Sequence, residues 1–201
     1  MDKNSLIITI SRQYGSGGRE VAQKLADKLD IALLDRKIIN TAAQKLGAQD
    51  LPKGFLDSLE HHVNAGYEFI PFVPFGTNIM PSSTDMFFAE VKVIYELVKQ
   101  GPCVILGRSA DVILKNYPHK YSFFICADKN FRQQRGKTVY NGKTFAELEN
   151  EDKKRAEYYY RFTGHTWGRG DNYDLSINTS KIGTDGAVNI IMKYIENVKK
   201  L

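Results

Sequence analysis

Near its N-terminus the chain reads Ile7-Ile8-Thr9-Ile10-Ser11-Arg12-Gln13-Tyr14-Gly15-Ser16-Gly17-Gly18-Arg19-Glu20. An apolar run leads into a glycine cluster, and the glycines lead into a segment whose apolar residues recur at helical spacing from Val21 to Leu29. This order predicts a buried strand, a tight turn and an amphipathic helix. Because glycines leave backbone N–H groups uncovered and a helix N-terminus presents more of them, the turn is suited to binding phosphate. The alternative is a strand-to-helix turn with no ligand.

The rest of the chain alternates apolar runs with helical patterns. Most of the runs lack the period-two alternation of a half-exposed strand, which favours a parallel sheet covered on both faces. Strands are predicted over residues 6–11, 32–35, 103–107, 121–127 and 173–179. Further helices are predicted over residues 84–100 and 185–199. The expected fold class is therefore α/β, with right-handed crossovers.

Two segments do not fit this alternation. Residues 48–83 contain four prolines and an aromatic stretch, and a long irregular segment of this kind is usually functional or interfacial. It could cover a substrate or pack against a second subunit in a homodimer, and a proline-rich packed connection is an equal alternative. Residues 152–172 are rich in Arg, Tyr and Gly and form the second irregular segment.

Composition limits the partners. The chain has 201 residues, a formal net charge of +5 and a pI of about 9.0, which favours anionic partners. The basic residues are spread along the sequence, so nucleic acid is an unlikely partner. No apolar run is long enough to cross a membrane, and no signal peptide is evident. Cys103 and Cys126 lie in apolar runs and are expected to be buried free thiols, which fits a cytoplasmic location.

The glycine turn departs from the standard P-loop pattern, which needs a glycine, four residues and then Gly-Lys-Ser/Thr. Counting back from Gly17, Arg12 stands at the first glycine position. Gly18 stands at the lysine position, and Arg19 follows at the hydroxyl position. The cation that normally contacts the β- and γ-phosphates is missing there, and either Arg19 or Arg12 could replace it.

These residues resemble the opening motif of the cytidylate kinase-like family, a divergent branch of the P-loop nucleoside-monophosphate kinases. The resemblance continues through 34–36, 105–111, 124–127 and the arginines at 132 and 135, and it ends with matches between 155 and 175. It covers nearly the whole chain. It implies a P-loop NTPase-type three-layer fold in a single domain over residues 1–201, with a five-stranded parallel sheet, an acceptor-side insertion at 48–83 and a lid at 150–172.

The resemblance also implies roles for individual residues, with ATP and Mg²⁺ as cofactors. Asp35 and Arg108 would contact the acceptor. The catalytic, charge-stabilising residues would be Arg19, Arg132, Arg155 and Arg161. The donor phosphates would be held by Arg12, Gly15, Ser16, Gly17, Gly18, Arg19 and Glu20.

Structural alternatives accompany several of these roles. Asp35 could simply cap the helix that follows it, and Glu20 could favour the dipole of its own helix rather than approach a metal ion. The aromatic residues 158–160 and Trp167 could stack on a base, although packing is their default role.

The sequence therefore predicts an ATP-dependent phosphotransferase acting on a nucleoside monophosphate or a related small phosphorylated acceptor. The alternative is a non-catalytic module that kept the fold and binds a nucleotide or phosphorylated metabolite.

Overall fold

The structure is a computed structural model that describes residues 6–39 and 83–198. Its sheet has five parallel strands in the order β2-β3-β1-β4-β5. The strands are β1 (Ile7–Arg12), β2 (Ala32–Leu34), β3 (Cys103–Leu106), β4 (Lys120–Cys126) and β5 (Leu175–Asn178). Central β1 pairs with both β3 and β4, so that Ile10 lies opposite Leu106 on one side and Phe123 on the other. The predicted α/β class and parallel sheet are confirmed.

Six helices surround the sheet in the described part of the chain. They are α1 (Gly18–Leu29), α2 (Ser83–Lys99), α3 (Ala110–Ile113), α4 (Lys129–Val139), α5 (Phe145–Thr163) and α6 (Thr179–Val198). A helical turn follows β2 at 36–39, and a 3-10 turn spans Gly170–Asn172. Helix α6 is kinked at Gly183, where φ is 65° and ψ is −175°, so the helix predicted from residue 185 corresponds to its second part.

The helices form two outer layers because successive residues of a strand face opposite sides of the sheet. Ile8 packs on the side of α1 and α6, together with Leu25 and Ile191. Ile7 packs on the other side, together with Val91 of α2. The carboxyl ends of all five strands meet at one edge, which is where open α/β sheets bind ligands.

The predictions for residues 152–163 and for Cys126 need correction, and one helix was missed. Residues 152–163 are not irregular, because they belong to α5, and α4 was not predicted at all. Helix α4 buries only Arg132 and Gly136, so it lacks the apolar stripe by which a helix is recognised in sequence. Cys126 is only partly buried, whereas Cys103 is buried, and both are free thiols.

The predicted acceptor-side insertion lies outside the described residues, except that Ser83 begins α2. The suggested substrate cover and homodimer contact therefore stay predictions, as does the cytoplasmic location. None of the described helices is long and apolar enough to cross a membrane.

Replacing Leu25 with Ala should destabilise the protein by about 3 kcal/mol, because the side chain is fully buried between α1 and the sheet and its removal leaves a cavity. Urea denaturation measures the free energy of unfolding. Gln23→Ala, on the exposed side of the same helix, is the matched control. Equal losses in the two variants would contradict the described packing of α1.

Candidate phosphate-binding site at the carboxyl edge of the sheet

The glycine turn connects β1 to α1 with left-handed backbone at Gly15 (φ 83°) and Gly17 (φ 80°). A side chain is strained in that region, which explains both glycines. Ser16 is fully buried, and its hydroxyl donates to the carbonyl of Gln13 at 2.8 Å. Its carbonyl accepts a hydrogen bond from the Thr179 hydroxyl at 2.7 Å. The Ser16 side chain therefore stabilises the turn from within.

The turn presents backbone donors. In the part of the chain that the structure describes, the N–H groups of Gly15 and Gly17 donate to no protein acceptor. The first turn of α1 follows directly, and its N–H groups also lack partners within the helix. The Gly18 N–H donates to the Ser16 hydroxyl at 3.3 Å, and binding of an anion by the remaining N–H groups stays a prediction.

Asp152 of α5 connects the turn to the helices behind it. One carboxylate oxygen accepts from the Tyr14 N–H at 2.7 Å and from Arg155 at 3.0 Å, and the other accepts from Arg132 at 2.5 Å. Arg132 also donates from Nε to the Tyr14 carbonyl at 2.7 Å. Arg155 donates to the Arg12 carbonyl at 3.2 Å. Arg132 is consequently engaged with the backbone of the turn, and Arg155 lies at the end of β1.

Arg12 is the last residue of β1, and its guanidinium extends toward the end of the neighbouring strand β3, next to Gly107. Burial, and then the positive charges of Arg155 and Arg19, lower the pKa of Arg12 from 12.5 to about 9. The group is still cationic at neutral pH. Three arginines therefore place positive charge around the turn.

Arg19 and Glu20, both in the first turn of α1, each form an ion pair. Arg19 pairs with Asp35 at 3.0 Å, and Glu20 pairs with Arg135. Asp35 also accepts from the N–H groups of Lys37 and Ile38, at 2.9 and 3.1 Å. Asp35 thus caps the helical turn after β2, as the structural alternative predicted, and it also pairs with Arg19 of α1.

Arg108 lies just after β3 in a loop of three consecutive left-handed residues, Gly107, Arg108 and Ser109, with φ values of 78°, 62° and 53°. Non-glycine residues in this region store strain, which is concentrated at functional sites. Arg108 pairs with Glu90 of α2, and the Tyr158 hydroxyl donates to the same carboxylate at 2.5 Å. Burial raises the pKa of Glu90.

Sequence reasoning missed Glu90, although a signal existed. It lies three residues after Phe87 and four residues before Ile94, and therefore on the apolar face of α2, where a charged residue is unusual. A carboxylate on such a face requires a buried cationic partner, which here is Arg108.

The remaining predicted positions are less engaged with the turn. Arg161 is exposed on α5 and forms no ion pair with the residues that the structure describes. Tyr159 donates to Asp111 at 2.6 Å, and Trp167 packs edge-on against Phe124 with ring centroids 5.3 Å apart. These aromatic side chains therefore have packing or hydrogen-bonding roles within the protein, as the structural alternative predicted.

A divalent metal has no prepared protein site in residues 6–39 and 83–198, where no group of three or more His, Cys, Asp and Glu side chains converges. The carboxylates at the turn and beside the first turn of α1 are each paired with arginine, and they are Asp152, Glu20 and Asp35. The described donor set therefore suits phosphate oxygens, through N–H groups and guanidinium groups, rather than a metal ion.

Residues 7–181 match the family model of the cytidylate kinase-like family. The chain belongs to this family. No curated protein matches it.

Solved structures with the same fold extend over nearly the whole chain. An uncharacterized protein from Eubacterium ventriosum ATCC 27560 is 25% identical with a TM-score of 0.72, covering 95% of this chain and 98% of its own. A gluconokinase from Sinorhizobium meliloti 1021 is 11% identical with a TM-score of 0.54, covering 98% of both chains. A shikimate kinase from Bacteroides thetaiotaomicron is 12% identical with a TM-score of 0.52, covering 95% and 98%. The fold is that of the P-loop kinases, and family and fold together support a phosphotransferase in general.

A second feature lies away from the glycine turn, at the amino ends of β4 and β5, where Asp111 lines a cavity together with Lys120 and His165. Asp111 accepts a hydrogen bond from Tyr159, and its backbone carbonyl accepts one from Lys120. Burial raises the pKa of Asp111 from 3.8 to about 6. The folded protein therefore binds this proton more tightly than the unfolded chain does.

The raised pKa of Asp111 predicts a pH-dependent stability. Its contribution is fully present below pH 4 and is lost as the pH rises through 6, because the carboxyl group must ionise while buried. Relative to Asp111→Asn, the wild-type protein should lose up to about 3 kcal/mol between pH 4 and pH 7. Denaturant unfolding over this range measures it, with Asp185→Asn as the charge-matched control. Parallel curves for wild type and Asp111→Asn would contradict the prediction.

Proposed function

We propose that the protein is an ATP-dependent phosphotransferase whose acceptor is a nucleoside monophosphate or a related small phosphorylated compound. The observation that carries this proposal is the convergence of Arg12, Arg19 and Arg155 on a glycine turn with unused backbone N–H groups. Phosphoryl transfer depends on positioning and on positive charge around the moving group, rather than on covalent chemistry by the protein.

The donor phosphates would bind at the turn. The N–H groups of Gly15, Gly17 and the first turn of α1 would hold the phosphate oxygens, and Gly18 would let the backbone approach closely. Arg19 would move from Asp35 onto the phosphates, since its side chain is 71% exposed and its ion pair is weak in solvent. Mg²⁺ would arrive with ATP and neutralise phosphate charge, held mainly by phosphate oxygens and water.

The acceptor would bind along the same edge, beyond β3 and β2. Arg108, held rigidly by Glu90, would contact an anionic group of the acceptor, and Asp35 would contact its polar groups once released by Arg19. An anionic acceptor is favoured because a guanidinium forms two parallel hydrogen bonds to a phosphate or a carboxylate, and the phosphorylated class follows from the family.

Arg155 would stabilise the charge that develops on the transferring group, with Arg161 approaching as α5 moves. Arg132 would act as a positioning residue, because its guanidinium is already occupied by Asp152 and by the Tyr14 carbonyl. Arg132 of α4 and Arg155 of α5 should therefore respond differently to substitution.

The alternative is a module that binds a nucleotide or phosphorylated metabolite without transferring the phosphoryl group. The missing lysine at position 18 favours it. Nucleotide binding without turnover would support this alternative.

The test is chromatographic detection of ADP and product after incubation with ATP, Mg²⁺ and a panel of acceptors. The panel contains nucleoside monophosphates, and also shikimate and gluconate, because kinases of the same fold carry those names. We expect product from at least one phosphorylated acceptor. Turnover of shikimate or gluconate alone would overturn the acceptor class, and absence of ADP with every acceptor would overturn the kinase.

Arg155→Ala should lower kcat by roughly 100-fold, because one charge is removed from the transferring group. Arg132→Ala should instead lower mainly the thermal midpoint, because it removes one of the two guanidinium groups that pair with Asp152 and the donor to the Tyr14 carbonyl. Lys193→Ala, exposed on α6, controls for the loss of one positive charge. Equal kcat values for wild type and Arg155→Ala, with the fold intact, would exclude the assigned role.

A further inference from the structure

Two positions of the phosphate-binding turn have exchanged their residue types. The standard pattern has glycine at the first position and lysine after the last glycine. Here the first position holds the cation, Arg12, and the lysine position holds the glycine, Gly18.

The structure gives a steric reason for this exchange. A Cβ atom on Gly18 would lie 2.4 Å from Cβ and 2.9 Å from Cγ of Arg12, which is closer than such atoms approach. The backbone of Gly18 is helical, so the glycine is required by space and not by its φ angle. The stem of Arg12 therefore occupies the volume into which a side chain at position 18 would project.

The guanidinium of Arg12 continues from there across the edge of the sheet. A Cβ on Gly107, at the end of β3, would lie 2.3 Å from Nη1 of Arg12, and Gly107 is itself left-handed. Arg12 thus crosses from β1 to β3 above the carboxyl ends of the strands, next to the N-terminus of α1.

The charge of Arg12 is not neutralised in the same way as that of its neighbours. Five other arginines in this region each pair with a carboxylate, and they are Arg19, Arg108, Arg132, Arg135 and Arg155. Among the residues that the structure describes, no carboxylate lies within ion-pair distance of Arg12. A desolvated cation beside two further cations is costly unless an anion completes the site. The lowered pKa of Arg12 has this same cause.

We propose that Arg12 performs the task of the missing P-loop lysine, binding the terminal phosphates of a nucleoside triphosphate from the end of β1, and that Gly18 is glycine to make room for it. This inference rests on the proposed function for the identity of the ligand. It selects Arg12 rather than Arg19, because Arg19 is exposed and paired with Asp35.

If the two positions have exchanged roles, substituting both together should restore what each single substitution loses, and the whole chain is used for this test. Calorimetry measures the affinity for ATP without acceptor, with AMP as the comparison ligand that lacks the terminal phosphates. Arg12→Gln should weaken ATP binding about 10- to 100-fold, which corresponds to the loss of charge-assisted hydrogen bonds, and should affect AMP much less. Gly18→Lys alone should lower the thermal midpoint, because its Cβ meets Arg12.

The double variant Arg12→Gly/Gly18→Lys should recover both the thermal midpoint and the affinity for ATP, since it removes the steric conflict and places glycine and lysine at their standard positions, with Arg19 unchanged. Gly170→Lys is the matched control, because a side chain there meets no atom within 4 Å. An Arg12→Gln variant that binds ATP with wild-type affinity would overturn the inference. So would a double variant whose losses equal the sum of the losses in Arg12→Gly alone and Gly18→Lys alone. Arg12→Lys, which keeps the cation, serves if Arg12→Gln does not fold, and it should retain ATP binding.

Turnover separates this inference from the proposed function. Binding that depends on Arg12 without any turnover would overturn the kinase and retain the inference. Turnover that Arg12→Gln leaves unchanged would retain the kinase and overturn the inference. A wild-type protein that does not bind ATP would overturn both the kinase and the inference.

Discussion

One carboxylate, that of Asp152, holds the glycine turn in place. It accepts from the Tyr14 N–H and from two guanidinium groups. Arg132 also donates to the Tyr14 carbonyl in the turn, and Arg155 to the Arg12 carbonyl at the end of β1. The side chain of Asp152 is only 12% exposed, so its removal would leave two cations unpaired in a poorly solvated place. The conformation of the turn is therefore determined as much by α5 as by the glycines.

The charges around Asp152 and the glycine turn are arranged as in a site prepared for an anion. Most of its arginines are paired with carboxylates, which keeps them oriented in the absence of a ligand. Orientation before binding reduces the reorganisation needed when charge develops. Because the pairs differ in exposure, they differ in how easily a phosphate can displace the carboxylate. The Arg19 side chain is 71% exposed in its pair with Asp35, whereas Arg108 pairs with Glu90, whose side chain is 3% exposed.

The sheet could be predicted from the sequence because its strands are buried on both faces and appear as continuous apolar runs. Helices α4 and α5 could not, since α5 buries only Leu148 and Tyr159 and both helices pack largely through ion pairs and aromatic rings. The positions of Asp35 and Arg108 after strands were predictable for the same reason as the strands. The charge on the apolar face of α2 marks Glu90, but it does not identify Arg108 as its partner, because pairing between charges on separate elements leaves no periodic pattern. For the same reason the contact of Asp152 with the glycine turn could not be predicted.

The long separations within the site bear on how the protein is made. The Tyr14–Asp152 hydrogen bond joins residues 138 positions apart, and the bond from Thr179 to Ser16 spans 163. Strand β1 is synthesised before its neighbours β3 and β4, and before Asp152, which accepts a hydrogen bond from its turn. The glycine turn is therefore synthesised long before the residues that complete its hydrogen bonds. A nascent chain that ends before residue 152 carries the turn without Asp152, Arg155 and the Thr179 hydroxyl.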